Sequence, residues 1–335
     1  MSARGVTIAV LAVAALGWWP RAAYASDGAG TSGVASLKVA AGARPAALGG
    51  AFVGLADDSN ALFWNPAGLA DLTERQLGLM YTSYLVDTSY QLLSWAQPVP
   101  VLGGGIAAAV YTLDYGSITL RDERPDGMYS PPTGTRAPHE WYVTGGWGTR
   151  LPRFFGLDRV RAGASVKLTF QPLEHGEVVG AGAAAGALLD LPVKGLRAGL
   201  VADNLGALTS GGLTLPINFR FGASYARPLS AKLGMTVAAD ARYFLDVGFR
   251  PNAGLEVLAF NVLAVRGGWA VGGVDASVAR SSRQSISGEG GPTFGIGVRS
   301  PAAWGQRRIR FSVDYALTTV GDLGNTHRIQ LTVGL

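Results

Sequence analysis

From about residue 76 to its end the chain alternates apolar and polar side chains with period two, one segment after another, with turn residues in between. The last segment shows it most plainly: Ile329, Leu331, Val333 and Leu335 share one face, while Arg328, Gln330, Thr332 and Gly334 share the other. Likewise Ile309, Phe311, Val313, Tyr315 and Leu317 oppose Arg308, Arg310, Ser312 and Asp314. Phe219, Phe221, Ala223 and Tyr225 oppose Asn218, Arg220, Gly222 and Ser224, and Val237, Ala239, Ala241 and Tyr243 oppose Ala238, Asp240 and Arg242. This pattern predicts strands with one apolar and one polar face. A soluble sandwich alternates too, but many of these segments run about 10 residues or more, against about 5 or 6 for ordinary globular strands. Strands of that length cross a bilayer at a tilt, and the charges in mid-strand suit a wet lumen.

The expected fold is therefore all-β, a transmembrane antiparallel β-barrel of about 14 strands. They start near Gln76, Thr88, Gly103, His139, Arg159, Val178, Lys194, Leu215, Lys232, Phe249, Asn261, Gly290, Arg307 and Thr326. If the first strand rises from the periplasmic side, the long polar connections 114–138 and 272–289 fall outside. Residues 227–231 and 258–260 then form short inner turns, with 149–158 the one longer inner connection.

The chain before residue 76 reads differently. Arg4, the apolar run 6–16 and the small residues of Ala23-Tyr24-Ala25 have the three-part layout of a cleaved signal peptide, so residues 1–25 are expected to be removed. Residues 26–75 do not alternate. They are expected to form a short N-terminal plug inside the lumen or a periplasmic extension, leaving 76–335 as the barrel. Asp58 or Ser59 is the expected N-cap of a helical turn through Phe63, which Pro66 ends.

Composition supports a membrane surface. Only 15% of the 335 residues are charged while 48% are hydrophobic, and 48 are glycine, so little charge is available to cover a soluble exterior. Beyond the leader no run of about 18 apolar residues occurs, which argues against transmembrane helices. With no cysteine, disulfides and thiolate metal sites are excluded. The net charge of +5 is not gathered into a basic cluster, so no nucleic-acid partner is expected. The three histidines, His139, His175 and His327, are solitary, and Asp122-Glu123 is an adjacent pair rather than two carboxylates across a cleft. No enzyme activity, metal or cofactor is expected.

Candidate function rests on the polar faces and the leading segment. The faces carry Lys167, Arg197, Arg220, Arg242, Arg266, Arg299, Arg308, Arg310 and Arg328 against Asp203, Asp240, Glu256 and Asp314. Two readings stand: a basic lumen that favours anions, or a network of charge pairs holding plug to wall, with Arg220 or Arg266 expected to pair with Asp57 or Asp58. The run Asn65-Pro66-Ala67-Gly68 is either a gate or a turn that seats the plug. Trp95, Trp141, Trp147, Trp269 and Trp304 sit near strand ends, as interfacial girdles do.

These segments resemble FadL-like outer-membrane barrels, and within them the PorV/PorQ family. The likeness rests on Gly42-Ala43-Arg44, Leu48-Gly49-Gly50-Ala51-Phe52, Ala56-Asp57-Asp58 and Trp64-Asn65-Pro66-Ala67-Gly68-Leu69. Asp203-Asn204-Leu205-Gly206, Phe219-Arg220-Phe221-Gly222, Gly254-Leu255-Glu256, Arg266-Gly267-Gly268 and the stretch 321–328 follow in family order. The resemblance implies a 14-stranded barrel in outer-membrane lipid with the Asn-Pro-Ala motif in its plug. It implies either passage of a hydrophobic or amphipathic small molecule, or a PorV-like role in binding a secreted protein partner for type IX-like secretion. One departure is the final residue, Leu335, where many such strands end in an aromatic.

Overall fold

The computed structural model describes residues 32–39, 41–85, 87–122, 128–152, 159–173, 176–209, 214–246, 248–270, 290–300, 309–320 and 324–335. The leader 1–25, the connection 272–289, His175, Trp304, Arg308 and the motif residues 321–323 lie outside the described residues.

Fourteen strands close into one antiparallel barrel. They are β1 (Gln76–Ser83), β2 (Ser89–Val99), β3 (Gly104–Asp114), β6 (His139–Arg150), β7 (Val160–Leu173), β8 (Gly176–Asp190), β9 (Leu196–Leu208) and β10 (Asn218–Ser230). The ring continues through β11 (Leu233–Phe244), β12 (Gly248–Ala259), β13 (Leu263–Ala270), β14 (Gly291–Arg299), β15 (Arg310–Thr319) and β16 (Asn325–Gly334). The seam pairs β1 with β16, from Gln76 opposite Gly334 to Ser83 opposite His327. We call the end where β1 starts and β16 finishes proximal, and the other end distal.

Alternation sets the two surfaces. Leu77, Leu79, Tyr81, Phe219, Phe221, Ile296, Val298 and Ile329 are exposed on the outside, whereas Arg328, Gln330, Asn218, Arg220, Asp240 and Asp314 are buried on the inside. Water would penalise that outer belt by about 25 cal/mol for each Å² of apolar surface left wet. A continuous apolar exterior around a polar interior is the surface of a barrel solvated by hydrocarbon.

Strand starts fall within three residues of the expected ones; the differences lie in the connections. β10 runs through the expected turn 227–231 as far as Ser230, with its register shifting between Pro228 and Ser230, because a bulge accommodates a residue without an N–H. The next inner turn moves to Phe260 and Asn261, both in left-handed backbone (φ 55° and 57°). The connection 300–309 at the proximal end is a second long one, which the sequence parse missed. In the distal connection 114–138, two short strands, β4 (Ile118–Leu120) and β5 (Gly134–Arg136), form an unexpected hairpin.

Residues 41–72 lie within the ring. They carry helix α1 (Ala43–Ala47), helix α2 (Ala61–Trp64) and a 3-10 turn (Pro66–Asp71), and their atoms meet inward-facing positions on strands all around the wall. Asn60 rather than Asp58 or Ser59 occupies the N-cap position of α2. The Asp58 carboxylate accepts the Asn60 N–H at 2.9 Å, from two residues ahead of that position.

Candidate functional site

A chain of short turns leaves many backbone groups without helical or sheet partners, and burial makes each one costly unless the surroundings bond it. Here the wall supplies those partners. Asp240 on β11 accepts the N–H groups of Phe52 (2.7 Å) and Val53 (2.8 Å). Gln330 on β16 accepts from Ala43 at 2.9 Å, and Gln76 on β1 from Ser59 at 2.9 Å. In the opposite sense Arg242 donates to the Gly50 carbonyl (2.8 Å), Arg220 to that of Phe63 (2.9 Å) and Arg197 to that of Leu55 (3.0 Å). Arg242 and Arg220 also flank the Trp64 ring, 4.4 and 5.7 Å from its centroid. The inward polar residues expected to line a lumen thus close the hydrogen-bond account of the inner segment.

The wall is also cut to fit the segment's backbone. Gly105 on β3 lies opposite Gly148 on β6, Gly148 opposite Gly163 on β7, and Gly163 opposite Gly186 on β8. Gly199 pairs with Gly222, and Gly254 with Gly268. A methyl group at Gly163 would stand 2.3 Å from the Pro66 carbonyl carbon, at Gly199 2.5 Å from the Val53 oxygen, and at Gly254 2.5 Å from the Leu48 oxygen. Only glycine admits backbone that close. Sequence reasoning missed this belt, although glycine recurring at inward positions of neighbouring strands was a usable signal.

Asn65-Pro66-Ala67-Gly68 sits at the centre of this seat. Asn65 is fully buried; its amide donates to the carbonyls of Val53 (3.0 Å) and Ala187 (3.1 Å), and its Oδ1 accepts the Ala67 N–H at 3.2 Å. One side chain therefore joins two parts of the segment to β8. Pro66 opens the 3-10 turn rather than merely ending α2, as its fixed φ and missing N–H suit a first helical position. Gly68 permits contact with the Ala56 carbonyl, where a methyl would lie 2.0 Å away.

The charges pair differently from the expected scheme. Neither Arg220 nor Arg266 reaches Asp57 or Asp58. Those aspartates pair with Arg44 of the same segment, at 2.5 and 2.9 Å. Arg44 then forks onto Glu256 of β12 (2.9 and 3.0 Å), Glu256 accepts from Arg266 of β13 (2.6 Å), and Arg266 reaches Asp314 of β15 (2.6 Å). Arg44 entered the sequence reading only within the Gly42-Ala43-Arg44 motif and not among the charges, yet it is the segment's own cation on a wall carboxylate. A local partner thirteen residues away in the chain captures Asp57 before any wall arginine does. Burial by itself would lower the Arg44 pKa, but Asp57, Glu256 and Asp58 outweigh it and hold it above its ordinary value. Burial raises the Asp58 pKa, and Arg44 offsets this only in part.

Elsewhere Arg220 and Lys167 share Asp203, Lys167 at 3.1 Å. Arg328 is fully buried and donates to the Thr318 (2.8 Å) and Thr326 (3.1 Å) hydroxyls. Arg310 departs from its expected place: it faces inward at the proximal rim, but its side chain is 53% exposed and lies 3.4 Å from Glu74. Asp71, which the sequence reading passed over, ties the segment's proximal end to Arg161 (2.7 Å) and Arg197 (2.8 Å).

The inner faces of β1, β2 and β3 carry an apolar stretch, interrupted by Thr82 and Ser94. Met80, Leu92 and Leu113 are buried beside a tyrosine ladder in which Tyr90 and Tyr111 rings lie 5.5 Å apart and Tyr111 and Tyr142 rings 4.8 Å apart. At the distal mouth residues 32–39 run across the opening. Ser36 donates to Glu140, Lys38 pairs with Asp246, and Ser32 donates to Asp246 at 2.5 Å. Burial pushes the Asp246 pKa up, but the bonds from Lys38 and Ser32 hold it below its ordinary value. Among the described residues no group of three or more His, Asp or Glu could hold a metal ion.

Residues 7–136 match the model of an uncharacterised protein family, UPF0164. No curated protein matches the sequence. Among solved structures, a ΔS2 mutant of the TodX monoaromatic hydrocarbon channel is similar over 88% of this chain and 97% of that one, with 12% identity and a TM-score of 0.55. The ΔS2S3 mutant of the same channel is similar over the same shares, with 13% identity and a TM-score of 0.53. A Pseudomonas aeruginosa FadL homologue is 10% identical over 86% of this chain and 95% of its own, with a TM-score of 0.48. At these identities the TodX likeness is one of fold: a closed 14-strand outer-membrane-type barrel.

Proposed function

We propose that this protein is an outer-membrane transport barrel, exported with a leader over residues 1–25 that is cleaved off, and closed at rest by residues 26–75 acting as a plug. The distal end faces outward, and the cargo is a hydrophobic or amphipathic small molecule. The observation that carries this reading is the two-sided lumen: a polar wall that bonds the segment's backbone stands opposite an apolar wall running from Met80 to the Tyr142 ring. An apolar solute gains little from a lumen of charges, but it is accommodated along tyrosine and leucine once the segment yields. The fold shared with TodX supports the same reading, and the ordered motifs over 42–69 and 203–225 support a PorV/PorQ-like ancestry. Within this scheme Arg44 and Asn65 anchor the plug, with Asp57 and Asp58 holding Arg44 from within the segment; Asp240, Arg242 and Glu256 are its wall-side anchors, and Arg266 steadies Glu256.

A second reading, a PorV-like barrel that holds a secreted protein, is favoured by one feature. The distal connection exposes Ile118, Leu120, Met128 and Tyr129 together on and beside the β4–β5 hairpin. The two readings separate in liposomes containing the purified mature protein. Uptake of a fluorescent fatty-acid probe that rises when Asn65-Pro66-Ala67 is replaced supports a plugged transporter. A tight barrel with no uptake in either form refutes it and leaves the partner-binding reading.

A further inference from the structure

Positive charge gathers in excess at the proximal mouth of the barrel. At the proximal mouth a cavity of about 380 Å³ is lined by Arg150, Leu151, Arg159, Val160, Arg161 and Asp190. Behind it stand Arg197 and Asp71. Asp71 takes Arg161 at 2.7 Å, Arg197 at 2.8 Å and Arg150 at 3.2 Å, and Asp190 takes Arg161 at 2.9 Å and Arg197 at 3.4 Å. Three guanidiniums therefore share two carboxylates, and Arg159 stands as a fourth at the mouth, so roughly twenty N–H donors gather beside roughly eight carboxylate lone-pair sites. Around Arg44 the balance is reversed: Arg44 and Arg266 face Asp57, Asp58, Glu256 and Asp314.

Geometry separates anchor from reach. The Arg161 side chain is only 12% exposed and fixed by two aspartates, whereas that of Arg150 is 63% exposed and Arg159 is exposed at the mouth. Like charges held together at a water-filled opening repel one another, and an anion placed among them removes that repulsion and uses the spare donors. A carboxylate is planar and is matched by the flat fork of a single guanidinium. Three guanidiniums arriving from the end of β6, the start of β7 and the residue just before it suit a group with oxygens in several directions. We propose that this cavity is a phosphate-binding site, with Arg150 and Arg159 as its exposed arms and Arg161 as its floor. Its ligand is a phosphate ester, carried either by a phospholipid headgroup at the rim or by a free solute. The site does not depend on what the barrel transports.

Binding of inorganic phosphate to the purified mature protein in phosphatidylcholine nanodiscs, followed by calorimetry, tests the free-solute source. Retention of phosphatidylglycerol over phosphatidylcholine from mixed-lipid nanodiscs, read by native mass spectrometry, tests the headgroup source. In whichever arm binds, the double variant Arg150→Ala/Arg159→Ala is expected to weaken binding by about tenfold or more, since each charged hydrogen bond is worth about that factor. Arg227→Ala, which removes an exposed arginine of β10 near the same end, is expected to bind like the parent. Absence of saturable binding in both arms overturns the proposal. So does binding that the double variant leaves intact, or binding that Arg227→Ala weakens equally.

Discussion

Replacing Gly163 by alanine inserts one methyl group where the wall and the inner segment touch backbone to backbone. The new carbon would lie 2.3 Å from the Pro66 carbonyl carbon and 2.4 Å from the Ala67 nitrogen, whereas a relaxed carbon contact is about 3.5–4 Å. Neither atom belongs to a flexible side-chain end, so Pro66 and Ala67 must retreat by roughly 1 Å. Retreat is blocked on the other side by the bonds of Asn65 to Val53, Ala187 and Ala67, all between 3.0 and 3.2 Å. Overpacking of this kind costs about 1–3 kcal/mol, which lowers the ratio of docked to undocked segment by about 5- to 150-fold. The barrel itself does not weaken, because alanine in a strand is favoured over glycine by roughly 0.5–1 kcal/mol. Valine at the same position enlarges the effect without harming the strand.

The absence of cysteine offers a clean assay. Ser59→Cys is nearly isosteric at a position that is 3% exposed, and its rate of modification by a water-soluble maleimide reports undocking. We expect that rate to rise in the order parent, Gly163→Ala, Gly163→Val, with bilayer conductance rising in parallel and the heat-modifiable gel mobility of the folded barrel unchanged. Equal labelling and conductance in all three, with the barrel intact, would refute the idea that the glycine belt is the seat of the segment.

Other substitutions probe the bonds around that seat. Arg44→Ala strands Asp57, Asp58 and part of Glu256, and breaking one side of a buried ion pair costs about 3–5 kcal/mol, so conductance and Ser59→Cys labelling should both rise. Without Arg44, burial raises the Asp58 pKa further; a carboxyl whose docked pKa is raised favours docking below that value and opposes it above. Acidification should therefore partly reclose the Arg44→Ala variant, and a variant that stays open equally at pH 4 and pH 8, chosen as about the limits of ordinary carboxylate titration, would contradict this. At the distal mouth the sign is opposite: Asp246 has a lowered pKa, so its contacts with Lys38 and Ser32 are fully present above the ordinary aspartate value of about 4 and are lost as pH falls through the lowered one. Hydrogen exchange of residues 32–39 should accelerate in strong acid and lose that response in Asp246→Asn. Asn65→Ala leaves two buried carbonyls and an amide unbonded at about 1–3 kcal/mol each, and its thermal unfolding midpoint should fall more than that of a conservative surface change such as Thr135→Ser.

The barrel was legible because its cause is local and repeated. Outward Ile329, Leu331 and Val333 of β16 are apolar for the same reason as their counterparts on β10 and β15, so one strand read correctly predicts the rest. Connections were less legible: Pro228 looks like a turn residue, yet a bulge keeps it in β10. The seat was hidden for a different reason. Gly105, Gly148, Gly163 and Gly186 stand beside one another only after three strand registers are fixed. Along the chain they are simply four glycines among 48.

The charges obey the same limit more sharply. Parity along a strand says whether a side chain faces inward, and it placed Asp240, Glu256, Arg266 and Asp314 on the inner surface. It cannot say which partner each one finds, because a partner may lie hundreds of residues away, as Ala43 and Gln330 do. Asp57 and Asp58 were expected to look outward to the wall, but Arg44 reaches both from within the segment and spends its remaining donors on Glu256. A segment that neutralises its own aspartates and presents one guanidinium edge to the wall needs a single wall carboxylate to dock it. That arrangement concentrates the electrostatic hold of the segment's centre on Arg44 and Glu256, which is why removing Arg44 should do more to loosen the segment than removing either aspartate alone.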